Sequence, residues 1–367
     1  MANAKLCTVN ERVWKPEDGD DLADAWAQSL LESDHHAAVL GQLESRPDLT
    51  AELLPILIRH GGGQLVLNHL GTVMALSDQQ RFKDGQSLFI CHGPVILFSL
   101  VAASLPECYT IGKAVEVLAR TGRLSSDVYA RVYRTAQFVL DAMGGDDFTN
   151  LSDGLGSMLR VRLLHALVRI RQRKYGGSPV SQEDQVFTLT AFSWVTLRTL
   201  ERCGFSLSES EREAWVYRWG VIASLLGMRQ ELIPWTVADS ERCFTDYQVR
   251  YGSRTIAGRK LRRSLVAFLT AMLGENVLGR FAANRVLREL TSSNTLVLLG
   301  LPPRGQTDRI VGAAVRLVMA DAVARTWITR RFMDGFSHVD RVGFALRLSA
   351  DLRNSWQNST VSGGKAQ

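Results

Sequence analysis

Apolar positions recur at helical spacing along almost the whole chain, and no period-two alternation of convincing length interrupts them. The pattern predicts short amphipathic helices over Asp20 to Leu31 and Pro47 to Arg59, the second stopped by Gly61-Gly62-Gly63. A strongly apolar helix follows over Asp84 to Leu105, ending before Pro106, and then Ile111 to Arg120, stopped by Thr121-Gly122. Ser125-Ser126-Asp127 offers an N-cap to a helix reaching about Met143. Gly144 to Gly156, rich in Gly and Asp, reads as a loop before a helix over Ser157 to Lys174. Ser181-Gln182-Glu183-Asp184 caps a long apolar helix to Cys203, with Gly204 behind it, and Ser208-Glu209-Ser210-Glu211 is a capping box for the next. Helices over Asp239 to Tyr251 and Arg259 to Leu273 and a polar tail complete the pattern. The fold class expected is all-α, a single large helical domain with a cofactor pocket between core helices. Residues 1–60 supply N-terminal helices, 61–250 the core, 251–353 the C-terminal helices and 354–367 a disordered tail.

Composition narrows the classes. At 367 residues with 46% hydrophobic content, the chain can bury a sizeable core. Its net charge of +6 comes from arginines spread along the sequence, so no basic tail singles out nucleic acid as a partner. Five cysteines (Cys7, Cys91, Cys108, Cys203, Cys243) are widely spaced, with no CxxC, which argues against a disulfide framework and a structural zinc site. The first 21 residues lack the apolar core of a signal peptide. The nearest approach to a membrane span, Leu88 to Leu105, carries His92, Gly93 and Pro94. A cytoplasmic protein without a transmembrane segment is the expectation.

The chemistry concentrates in Arg160-Val161-Arg162-Leu163-Leu164-His165-Ala166-Leu167-Val168-Arg169. Residues three and four apart share a helix face, so Arg162, His165 and Arg169 line one side with Val161 and Val168 beside them. A neutral imidazole between two fixed cations suits a macrocycle carrying a metal and two carboxylates: His ligates iron and Arg pairs with propionates. The alternative is a hydrogen-bonded core histidine.

Other candidates are weaker. His92, in Cys91-His92-Gly93-Pro94, is the second metal candidate, against a structural His at a helix kink. Cys91 has no neighbour that obviously lowers its pKa. His60 and His69 flank the triple-glycine loop without a carboxylate at helical spacing. Asp146 and Asp147 precede the Arg/His helix and could supply a base, or simply form a turn. Arg134 could meet a propionate or form an ion pair, and Trp215 and Trp219 form an aromatic ridge suited to core packing. The basic stretch Arg259-Lys260-Leu261-Arg262-Arg263 lacks interleaved aromatics, so a solvated helix face suits it better than nucleic acid or membrane.

Several segments, in order, resemble the rubber oxygenase / MpaB oxygenase catalytic domain family, which includes the latex-clearing proteins. They are Ser104 to Tyr109; Thr121 to Leu124; Arg134 to Phe138; Arg160 to Ala166 with Arg169; Pro179 to Asp184 with Thr188, Phe192 and Ser193; and Trp219, Leu225 to Met228 and Glu231 to Pro234. The resemblance implies an all-helical fold, a b-type haem and oxygen chemistry on a lipophilic, often unsaturated molecule. It aligns Arg162 with the family's arginine and His165 with a histidine common in the wider family. It also implies a proximal haem histidine on the following helix in the latex-clearing branch, yet Gln182 to Cys203 contains no His, and Thr188, Thr190 and Ser193 occupy its polar positions. The expectation is therefore a haem-dependent oxygenase acting on a lipophilic small molecule and O2. Its haem b iron sits on His165, its cofactor contacts are Arg162, Arg169 and Arg134, and its catalytic residues are Arg162, Asp146 and Asp147. The alternative is a non-catalytic haem- or lipid-binding protein of the same fold.

Overall fold

The computed structural model describes residues 19–34, 39, 53–120, 128–144, 148, 153–176 and 180–302, with a few further positions up to 314. The described residues are helical, and their β-structure is one isolated antiparallel bridge between Ile111 and Gly252. In chain order the helices are α1 (Asp21–Leu31), α2 (Leu53–Arg59), α3 (Gly63–Leu76), α4 (Gln79–Ser99), a π-helical turn (Leu100–Ser104), α5 (Leu105–Cys108), α6 (Gly112–Arg120) and α7 (Val128–Gly144). They continue as α8 (Asp153–Lys174), α9 (Gln182–Arg202), α10 (Glu209–Leu225), α11 (Val237–Tyr251), α12 (Ile256–Leu273), α13 (Val277–Leu290) and α14 (Ser293–Leu298). The all-α expectation holds.

Two predicted boundaries differ, each for a local reason. The apolar helix does not stop at Pro106. Leu105 N–H donates to Leu100 O, the i→i+5 bond of a π-turn, and Pro106, which has no N–H to give, falls in the first turn of α5. Gly93 and Pro94 lie within α4 rather than breaking it. The run Gln79–Cys108 is long and apolar enough to cross a membrane, but 78% of its apolar window is buried, as in a core helix. The Arg/His helix starts at Asp153 rather than Ser157. A Cβ on Gly154 would come within 2.7 Å of the buried Phe148 ring, so the glycine that reads as a loop residue is what lets that ring pack on the helix.

The contacts divide the chain into two units. The first comprises Met1–Gln86, Phe138–Leu189 and Glu213–Cys243; the second comprises Ser87–Gln137, Thr190–Arg212 and Phe244–Gln367. In the first, α1 lies along α8 and touches α3, burying Ala23, Trp26, Ala27 and Leu30. Trp26 Nε1 donates to Leu57 O at 2.8 Å, so the indole dipole is satisfied inside the core. Arg218, fully buried, donates to the carbonyls of Phe82, Ala142 and Met143 and lies 4.1 Å from the Phe82 ring centre. It thereby satisfies carbonyls at the end of α7 that no helical N–H can reach.

In the second unit α12 packs along α13. Glu107, fully buried, is its polar centre. Oε1 accepts from Arg198 Nη2 at 2.6 Å and Ser292 N at 2.7 Å, while Oε2 accepts from Ser292 Oγ, Gln248 Nε2 and Thr295 Oγ1. Burial alone would raise its pKa; Arg198, then Thr295 and Ser292, hold it below the ordinary carboxylate value.

Candidate functional site around His165

Helix α8 carries the predicted cluster, and one face of it is covered by α1. Asp20, the N-cap of α1, accepts from Ala23 N and also takes Arg162 in a forked pair, Nε on Oδ2 and Nη2 on Oδ1 at 2.9 Å. Arg162 Nη1 donates to His69 Nδ1 at 3.1 Å and Leu225 O at 3.3 Å. Burial, then the Arg162 charge, lower the His69 pKa, so His69 is the neutral acceptor. Two turns further along α8, Arg169 Nε donates to Asp24 Oδ1 at 2.8 Å, and Arg173 reaches the other oxygen of Asp24.

The turn after α10 closes the same corner. Gly227 has φ +81, and a Cβ there would lie 1.9 Å from Asp20 Oδ2. Only glycine allows both that left-handed backbone and that approach. Gln182 Nε2 donates to Gly19 O and Gly227 O, and its Oε1 accepts from Arg229 N at 3.1 Å. The Arg162 guanidinium is taken up by Asp20, His69 and Leu225 O, whereas Arg169, bonded to Asp24 through Nε, keeps Nη1 buried without a hydrogen-bond partner among the described residues. They are buried cations that tie α8 to α1.

His165 stands apart from those pairs on the same helix. Its Nδ1 lies 3.2 Å from Gln185 Oε1 of α9. With the carbonyl oxygen as acceptor, Nδ1 carries the ring proton and Nε2 keeps the lone pair. Burial, then the nearby Arg169 charge, push the His165 pKa down to about 4. Gln185 Nε2 is buried with no hydrogen-bond partner among the described residues. A neutral imidazole oriented through one nitrogen is the form in which a histidine ligates a metal. Among the described residues, no group of three or more His, Cys, Asp or Glu side chains comes together to hold a metal ion. A lone imidazole holds iron where another body supplies the remaining ligands, as a porphyrin does. His165 fits that role.

The other predicted residues fall elsewhere. Asp146 and Asp147 lie outside the described residues. Arg134, on α7, and His92, on α4, belong to the second unit. His92 meets Phe205 edge-on, ring centres 4.9 Å apart, the contact of a packed side chain. Cys91 is exposed. Gln185 and Asp20 went unrecognised in the sequence. Asp20 reads there only as a helix start, and Gln185 sits a step past a capping signature with nothing local to mark it.

These features define an all-α protein with a neutral, oriented histidine on a central helix. Residues 92–324 match the family model described as "ER-bound oxygenase mpaB/B'/Rubber oxygenase, catalytic domain", and the chain belongs to that family. It is 23% identical over 207 residues to a protein named "Rubber oxygenase" from Streptomyces sp. (strain K30), a match covering 53% of this chain and 50% of that one. The chain thus matches about half the length of this curated relative. Its fold is similar to that of latex clearing protein LCP solved in a closed state. That likeness has a TM-score of 0.68 at 19% identity and covers 92% of this chain and 95% of the other.

Proposed function

We propose that this protein is a haem-dependent oxygenase acting on a lipophilic, unsaturated small molecule with O2. The observation that carries the reading is His165: a neutral imidazole whose Nδ1 is fixed by Gln185, leaving Nε2 for iron. Membership of an oxygenase family supports the reaction class. Bound there, a b-type haem supplies the redox chemistry that O2 requires. The chain's own part is narrower. Gln185 sets the tautomer and aim of His165, and burial, then the Arg169 charge, keep the ring neutral. The Asp20–Arg162 and Asp24–Arg169 pairs tie α8 to α1.

The test is an absorption spectrum of protein expressed with haem precursor. A Soret band is expected in the wild type. It should be lost in His165→Ala, partly restored by added imidazole, and kept in His92→Ala. A His165→Ala protein with an unchanged Soret band sinks the assignment. Oxygen uptake with a set of lipophilic alkenes then separates an oxygenase from a haem- or lipid-binding protein without turnover, which would show the band and no uptake.

A further inference from the structure

Two arginines of the basic stretch, Arg262 and the exposed Arg263, line a groove. A cavity of about 570 Å3 runs between α12 and α13, lined by Arg262, Arg263 and Thr270 on one side and Arg280 and Asn284 on the other. Val266, Ala267 and Ala271 give it an apolar floor, and one carboxylate, Glu275, stands among the three guanidiniums. Arg262 Nε is buried with no hydrogen-bond partner among the described residues. Burial, then the neighbouring Arg263, lower the Arg262 pKa.

The apolar rim is the second observation. Val277, Leu278 and Phe281 are 85%, 77% and 55% exposed, three of the larger apolar side chains left in water. At about 100° per residue, they continue the arc of α13 begun by Arg280 and Asn284. The arc turns away from Gly279, Ala283, Leu287 and Leu290, which face the core. Cations in a groove beside a ridge of exposed aliphatic and aromatic side chains match the two layers of a membrane surface, phosphate above and acyl chain beneath. Nucleic acid would neutralise the arginines but leave the ridge in water.

We propose that this face of α12 and α13 docks on an anionic phospholipid surface, with Arg262, Arg263 and Arg280 seating lipid phosphates and Val277, Leu278 and Phe281 entering the acyl boundary. The surface is independent of the reading of His165.

Flotation of the full chain with vesicles tests it. Binding is expected on phosphatidylcholine vesicles containing phosphatidylglycerol, and not on phosphatidylcholine alone. It should fall as salt rises. Reversing the three arginines together (Arg262→Glu, Arg263→Glu, Arg280→Glu) should lower the vesicle partition at least about a hundredfold. Because Arg262 is half-buried, the pair Arg263→Glu and Arg280→Glu is the control for folding, checked by circular dichroism, and should lower the partition about tenfold or more. Leu278→Asp with Phe281→Asp leaves the arginines in place and should lower it as well. Equal binding to both vesicle types, no effect of the variants, full displacement by millimolar inorganic phosphate, or binding to single-stranded RNA without vesicle binding would each overturn the proposal.

Discussion

The two units each hold an ionisable centre, and the two centres differ in what they leave open. Glu107 accepts five hydrogen bonds from Arg198, Ser292, Gln248 and Thr295, which saturates both oxygens. His165 has one recorded hydrogen bond, through Nδ1, and the amide nitrogen of its partner Gln185 is unanswered among the described residues. A saturated buried charge can do little but hold helices together, because any new partner must displace an old one. A buried polar group with a vacancy invites a ligand. The same contrast divides α8 itself, where Arg162 is closed by Asp20, His69 and Leu225 O and His165 is not.

The largest effect that would test this contrast lies at Glu107. Glu107→Leu leaves the Arg198 guanidinium facing a carbon chain and should cost about 5 kcal/mol of stability, read as a fall in the urea midpoint. A loss under about 1 kcal/mol would mean the cluster is not the closed structural centre described. Next is Asp20→Ala, which uncouples Arg162 and removes the N-cap of α1; about 3 kcal/mol is expected. Haem content per folded molecule should stay near wild type, because Asp20 serves to tie α8 to α1. A specific loss of haem at full stability would move Asp20 and Arg162 back into the cofactor site.

Gln185→Leu should reverse the pattern. Stability should change by no more than about 1 kcal/mol, while haem affinity should fall about tenfold or more; unchanged affinity would make Gln185 a bystander. The smallest effect is in pH. The folded pKa of His165 lies below the unfolded value of 6.5, near 4. The unfolded chain therefore takes up the proton first as pH falls, so this group's contribution to stability is full above 6.5 and declines from there towards pH 4. A titration of the ring by nuclear magnetic resonance with a midpoint near 6.5 would contradict the burial and the Arg169 contact.

The helices were legible because helical periodicity and capping are local. Asp20, Ser181 and Ser208 mark real helix starts. His165 stood out because an ionisable ring among aliphatic residues breaks the pattern. The roles of its neighbours were not legible. Arg162 looks the same on the page whether it meets a propionate or a carboxylate from Asp20, 142 positions away. Gly227 signals a turn, but not that its missing Cβ makes room for that carboxylate. The basic stretch of α12 was read from one helix, while its groove needs Arg280 and Asn284 of α13.

The π-turn at Leu100–Ser104 has an evolutionary consequence. A π-turn holds one residue more than the α-helical turn it replaces, so it is the footprint of a single insertion. Deleting Ala102 would restore an ordinary helix and rotate everything beyond it by about 100°, swinging Glu107 away from Arg198 and Ser292. An insertion of that kind survives only if the downstream contacts come to depend on it, after which it cannot easily be undone. Relatives lacking the extra residue should align here with a one-residue gap, and the partners of their counterpart to Glu107 should differ.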